Sequence, residues 1–297
     1  MMKVSVIVPV YNDERRVKLC LQALLEQHFD GEYEILIIDN GSTPPLDLGR
    51  ISDSRVRLLR EQKPGSYAAR NCGLAHATGS YIAFTDSDCL PQPDWLNALV
   101  KSLDRGIDMV AGEIRLFSAN PEAPNAVECF DMLCGLDQRE AVLRNHSAFT
   151  ANLACRREVC EALGGFDGRA TSGGDVAFTQ AAVKSGFRLE YNASMLVMHP
   201  ARDSLRAHRQ KLRRVVSGAY SLRHSESKFN RTFYWRSILW GGVRPWLTAF
   251  KMLRSQRVKE LRISDRLRAI SVLFHNKYYM LWLRVGYRLG LRNKVYR

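Results

Sequence analysis

Three short polar segments carry side chains suited to chemistry: Tyr11-Asn12-Asp13, Asp39-Asn40-Gly41-Ser42 and Asp86-Ser87-Asp88. Each follows a short apolar run, so each stands where a buried strand would end. Asp86 and Asp88 place two carboxylates together after such a run. They suit a divalent cation, and equally a solvated turn or the cap of the next helix. Asp39 before Gly41 suits an Asx-turn. Asp175 opens a helical stretch, where it suits an N-cap. His199 ends an extended stretch, where a lone His is commonly a hydrogen-bonded structural residue. No G-x-G-x-x-G follows the first strand, and no P-loop pattern occurs anywhere. A phosphate ligand would therefore need another holder, and a metal bound by carboxylates is the obvious one.

The elements that must position these residues alternate. Val4–Val8, Glu34–Ile38, Val56–Leu59 and Tyr81–Thr85 read as buried strands. Helical spacing covers Asp13–Gln27 and Ser66–Ala77. Near-continuous apolar strands separated by helices mean a parallel sheet covered on both faces. Ligands bind such sheets at the carboxyl ends of the strands, where the acidic segments fall. Further along, Asp94–Leu103 reads as a helix, Ile107–Ile114 as a strand and Ala126–Leu143 as one helix. Phe149–Cys155 and Leu189–His199 read as extended, with a short helix over Val176–Lys184 between them.

The chain has 297 residues, 46% hydrophobic and 25% charged, which excludes disorder and fibrous repeats. Its net charge is +14, unevenly placed. Residues 201–297 hold 24 Lys+Arg against 4 Asp+Glu, and residues 1–200 hold 20 against 26. The seven cysteines form no C-x-x-C pair and fit no common zinc spacing. No signal-peptide layout and no long apolar span is visible, so a cytoplasmic setting is expected.

In order and spacing, several segments together resemble the family 2 glycosyltransferases, inverting enzymes with the GT-A fold. They are Val6-Ile7-Val8-Pro9-Val10-Tyr11-Asn12, Ile38-Asp39-Asn40-Gly41-Ser42-Thr43, Ala69-Arg70-Asn71-Cys72-Gly73, Asp86-Ser87-Asp88, Gly164-Gly165-Phe166-Asp167 and Gly174-Asp175. The likeness covers roughly residues 3 to 200 and leaves the tail unmatched. It implies a three-layer α/β/α sandwich around a mostly parallel sheet (residues 1–200), followed by a helical extension (201–297).

The resemblance also implies roles. Asp88 would ligate Mn²⁺ or Mg²⁺ bridging a diphosphate, with Asp86 on the ribose or the metal and His199 a second metal ligand. Asp39 would read the nucleobase with Arg70 near it. Pro9, Val10 and Tyr11 would form the base pocket, and Ser87 belongs to the same nucleotide set. Asp175 would be the base that takes the acceptor's proton. Glu113, Asn152 and Gly174 would line the donor-sugar and acceptor region. Relatives usually carry Glu-Asp where this chain has Gly174-Asp175. The implied reaction is sugar transfer from a nucleotide donor, a UDP-sugar by expectation, to a hydroxyl of a glycan or lipid-linked acceptor. The alternatives are a sugar-nucleotide nucleotidylyltransferase and a non-catalytic membrane adaptor. The sequence leaves the sugar, the linkage and the oligomeric state open.

The tail carries its own signals. Ser204–Tyr220 is helical and Arg-rich, Phe229–Leu253 is rich in aromatics, and Asp265–Gly290 shows an apolar stripe at Leu267, Ile270, Phe274, Tyr278, Leu281, Val285 and Leu289. A solvated basic face and a nucleic-acid surface are both conceivable, but the body has no use for nucleic acid. Attachment to an anionic membrane surface, on the inner face of the cell membrane, is the expected use. Basic residues attract there at about 1 kcal/mol each, and Trp and Tyr favour the headgroup level.

Overall fold

The computed structural model describes residues 3–49, 53–225, 245–254, 258, 261–288 and 291. These fall into two compact units, 1–115 with 136–199, and 116–135 with 200–297. Most of the expected aromatic segment 229–253 lies outside the described residues.

The first unit is built on an eight-stranded sheet in the order β3-β2-β1-β4-β7-β6-β8-β5. Its strands are β1 (Val4–Val10), β2 (Tyr33–Asp39), β3 (Val56–Arg60), β4 (Tyr81–Thr85), β5 (Leu90–Pro91), β6 (Met109–Phe117), β7 (Asn152–Arg156) and β8 (Leu189–Pro200). Strands β1 to β4 pair in parallel, whereas β7 runs antiparallel to both β4 and β6. The sheet is thus mixed, and its parallel half carries the rim. Val10 pairs with Asp39, and Thr85 at the end of β4 pairs with Asn152 at the start of β7. One edge therefore gathers Val10, Asp39, Thr85 and the loops that follow them.

The seven residues of β1 are all buried, as a strand covered on both faces requires. They alternate between two cores. Val4, Val6, Val8 and Val10 pack against α1 (Glu14–Leu25) and α3 (Trp95–Asp104) through Val17, Leu21, Leu24, Trp95 and Leu99. Ile7 points the other way, toward α2 (Ser66–His76), α6 (Arg157–Leu163) and α7 (Gly174–Lys184), through Ala69, Val159 and Phe178. The period of two in the strand thus divides the helices into two layers.

The expected helix 126–143 is two helices, α4 (Ala126–Cys134) and α5 (Gln138–Asn145). Each has its own start signal. Asn125 and Glu128 form a capping box on α4, and the Asp137 carboxylate accepts from Glu140 N on α5. Gly135 is the break. A Cβ there would lie 2.4 Å from Asp131 O.

The second unit contains α4, α8 (Leu205–Ser225), helical residues 245–254 (α9) and α10 (Ile263–Arg288). Cys129, Met132, Leu133, Met252, Ala269 and Leu273 form its core, with a satellite of Val216, Leu283 and Tyr287. The buried side of α10 therefore differs from the stripe read in the sequence. Leu267, Tyr278 and Val285 of that stripe are exposed, while Val272 and Leu283, off the stripe, are buried. The helix is apolar on more than one side, so periodicity did not single out the packed one.

Inside this unit Asp131 is buried and accepts from Arg202 N at 2.9 Å and Arg202 Nη1 at 3.1 Å. His208 is also buried, with Nε2 3.7 Å from the same carboxylate. Burial, aided by Arg202 and Lys211 and opposed by Asp131, pushes the His208 pKa down to about 4. The imidazole is therefore neutral near pH 7.

Candidate active site

The rim begins at Tyr11, which follows β1 and is 64% exposed. Its ring is open to a stacking partner. Pro9 and Val10 are buried beneath it. Asn12 adopts φ 51°, and its side-chain oxygen accepts from Thr43 N at 2.8 Å, while its own N–H donates to Ser42 Oγ at 2.9 Å. These bonds tie the loop after β1 to the loop after β2.

Asp39 is 3% exposed. Its two oxygens accept from Ser42 N at 2.8 Å and Leu46 N at 3.3 Å. Burial raises its pKa, but the hydrogen bonds from Ser42 and Leu46, with Arg60 nearby, outweigh that and hold it below its ordinary value. The carboxylate thus shapes the Asx-turn and remains an anion at the rim. Asn40 is occupied: its amide donates to Glu61 O and Lys63 O and accepts from Gly65 N. This fixes the chain entering α2.

Helix α2 then presents Tyr67 and Arg70, three apart and so on one face. Arg70 is buried and donates from Nη2 to Asp86 Oδ1 at 2.5 Å. Its guanidinium lies 5.6 Å from the Tyr67 ring centre. Tyr67 Oη in turn donates to Asp175 Oδ1 at 2.9 Å. One helix face therefore links the Asp86 carboxylate to that of Asp175. Burial and the Asp175 charge, against Arg70, raise the Tyr67 pKa, so the phenol stays a donor.

Asp88 points elsewhere. Its Oδ1 lies 3.6 Å from His199 Nε2, and its Oδ2 lies 3.4 Å from Arg16 Nη1. Asp88 and His199 form, with Cys89, a group whose ligand atoms lie within 4.8 Å of one another. The donor set fits a hard or borderline divalent ion through Asp88 oxygen and His199 nitrogen. Cys89 does not fit such an ion. Burial and the charges of Asp86 and Asp88 hold its pKa well up, and the thiol hydrogen-bonds to Ala151 O at 3.7 Å. Asp86, expected to share the metal or hold ribose, has Oδ1 engaged by Arg70 and falls outside this group. Ser87 lies between them, partly buried.

Asp175 sits in the first turn of α7, not at its cap. The N-cap is Gly173, at φ 77°, and the helix starts at Gly174. Besides Tyr67, the Asp175 carboxylate accepts from Val176 N at 3.0 Å and from Thr150 N at 3.4 Å. Gly174 is buried against the Tyr67 ring.

Asn152 is turned away from the rim into the sheet. It is fully buried, accepts from Trp95 Nε1 at 2.8 Å, and donates to Glu113 O at 2.8 Å and Met195 O at 2.7 Å. The amide braces β6, β7, β8 and α3, with both N–H groups used. The Glu113 carboxylate accepts from Tyr191 Oη at 2.5 Å. Tyr191 belongs to a separate groove of about 1110 Å³ lined by α3, α5 and the first half of β8. Asp39, Asp86, Asp88 and Asp175 do not line that groove, so the chemistry is assigned by the carboxylates and not by cavity size. Sequence reasoning missed Tyr67, Arg16 and Thr150. The spacing of Tyr67 to Arg70 was the available signal for the first.

Residues 5–164 match the family described as Glycosyl transferase family 2. Glycosyltransferase AglE of Haloferax volcanii is 34% identical over 206 residues, 67% of each chain. The pre-mycofactocin glycosyltransferase of Mycobacterium tuberculosis is 32% identical over 215 residues, 68% of this chain but 44% of that protein. Among solved structures, mannosyltransferase PcManGT from Pyrobaculum calidifontis, in complex with GDP-Man and Mn²⁺, is similar with a TM-score of 0.63 at 20% identity. That match covers 97% of this chain and 88% of the other. Residues 1–349 of S. aureus TarS are similar with a TM-score of 0.50 at 18% identity, covering 97% and 92%. At these identities the two structures speak to the fold.

Proposed function

The chain belongs to glycosyltransferase family 2, and we propose that it transfers a sugar from a UDP-sugar to a hydroxyl with inversion at the anomeric carbon. It is an enzyme of the glycosyltransferase class. The observation that carries the finer reading is the linked pair of carboxylates. Asp86 and Asp175 are joined through Arg70 and Tyr67, with Asp88 beside His199.

In this reading Asp175 accepts the proton of the acceptor hydroxyl while that oxygen forms its bond to the anomeric carbon. The bond from that carbon to the diphosphate breaks on the opposite face, and the electron pair leaves with the diphosphate. Asp88 and His199 would hold Mn²⁺ or Mg²⁺. Such an ion, when bound, supplies Lewis-acid stabilisation of the leaving diphosphate. Arg70 orients Asp86 toward the ribose, Tyr11 stacks on the base, and the Asp39 anion accepts a base N–H. A nucleotidylyltransferase is disfavoured, because Pro9-Val10-Tyr11-Asn12 replaces the Gly-rich basic loop such enzymes use. A non-catalytic adaptor would have no use for the retained carboxylates.

The second unit supports a peripheral membrane role and, with it, a glycan or lipid-linked acceptor. Trp246, Phe250, Leu267, Tyr278 and Trp282 are exposed on a strongly basic segment. Among the described residues no helix is long and apolar enough to cross a membrane. Aromatic side chains at headgroup depth with Arg above them would hold the enzyme on an anionic surface.

The test is a panel of nucleotide sugars, GDP-mannose included, with Mn²⁺, scored by release of the nucleoside diphosphate. Metal-dependent release from a UDP-sugar supports the reading. Release from another nucleotide class alone replaces the UDP assignment. Absence of release across the panel, with lipid and glycan acceptors present, rejects it.

A further inference from the structure

Tyr67 does more than fill space beside α2. It is 6% exposed, and its ring stacks on Phe166 with centroids 5.7 Å apart at 28°. The Arg70 guanidinium approaches the same ring, and Gly174 backs against it. A Cβ on Gly174 would lie 2.7 Å from Tyr67 Cε2 and 2.9 Å from Cδ2 and Cζ. Gly174 belongs to a helix and has no positive φ. Its backbone would therefore accept an ordinary L residue. The Tyr67 ring is what excludes one.

The ring is therefore locked by neighbours on several sides, and its hydroxyl has one direction to point. Asp175 Oδ1 receives that hydroxyl and the Val176 amide, at 2.9 and 3.0 Å. Among the described residues, Oδ2 receives only the long contact from Thr150 N, at 3.4 Å. Two strong donors on one oxygen fix the plane of the carboxylate and leave the other oxygen the better placed to take a proton. We propose that Tyr67 is the positioning residue for Asp175, and that Gly174 is glycine so that the Tyr67 ring can reach it. This inference rests on the reading of Asp175 as the base.

A double-mutant cycle on the full chain tests it, read as kcat and donor KM for nucleoside-diphosphate release with acceptor present. Tyr67→Phe keeps the ring and removes the hydroxyl. It should lower kcat on the order of tenfold with donor KM within about twofold. In the Asp175→Asn background the same change should cost less than about twofold, because the carboxylate it positions is gone. An equal loss in both backgrounds, or unchanged kcat in Tyr67→Phe, overturns the proposal while leaving the base assignment standing. Asp175→Asn at the wild-type rate overturns both.

Gly174→Ala gives an independent arm. It should lower kcat in the Tyr67 enzyme and cost nothing further in a Tyr67→Ala background, where the space is open. Equal losses in the two backgrounds contradict the steric half of the proposal. Thermal melting of each variant separates loss of fold from loss of position.

Discussion

The two units handle charge in opposite ways. In the first, acidic side chains are placed singly around the strand rim and α7, and each is oriented by protein donors. Asp39 is held by amides, Asp86 by Arg70, and Asp175 by Tyr67 and an amide. In the second, Asp131 is buried among Arg202, His208 and Lys211 and serves packing. The surplus there is cationic and lies on a segment that exposes Trp246, Phe250 and Trp282. Oriented anions suit chemistry on a ligand with its own cation. Exposed aromatics among cations suit an anionic surface. The net charge of +14 averages two different devices.

Breaking the first device should have the largest effect. Asp88→Ala should reduce metal-dependent turnover on the order of 10³-fold, measured across a Mn²⁺ titration. Undiminished turnover would remove Asp88 from the metal site. Next in size is a packing change inside the same unit. Asn152→Ala should destabilise the fold by about 2–4 kcal/mol in urea unfolding, because Trp95 Nε1 and two carbonyls lose their partner. A stability near wild type would reject the bracing role of the amide.

The second device should respond differently. Replacing Trp246, Phe250 and Trp282 together with Ser should weaken co-sedimentation with anionic vesicles on the order of tenfold. Diphosphate release with a water-soluble acceptor should stay within about twofold. Equal vesicle binding would reject the exposed face as the contact. The smallest effect concerns pH. The His208 pKa is about 4 in the fold against 6.5 ordinarily, so the unfolded chain takes up the proton first. The stability contributed by neutral His208 is complete above about pH 6.5 and is lost as pH falls toward 4. The melting temperature should therefore drop by a few degrees from pH 7 to pH 5, and His208→Gln should flatten that slope.

Much of the first unit was legible in the sequence because its strands are buried on both faces and their ends carry unlike residues. Val4–Val10 alternates between two cores, and Asp39 and Asp86 fall at the expected edge. Elsewhere local pattern was a poorer guide. The helix 126–143 was divided because a glycine sits between two capped starts, and spacing alone does not register a cap. Asn152 looked like a site residue by position, yet its partners lie on Trp95, Glu113 and Met195, far apart in sequence. Asp175 looked like a helix cap, but the glycine pair before it starts the helix and leaves its carboxylate for Tyr67. On α10 the apolar residues are spread around the helix, so only tertiary packing decided which were covered.

If the oriented carboxylates perform the transfer, Asp175 is where the loss should be most direct. The measurement is steady-state transfer by Asp175→Asn beside the dissociation constant for UDP with Mn²⁺. kcat should fall on the order of 10³-fold with UDP affinity unchanged within about twofold. A transfer rate within tenfold of wild type would contradict it.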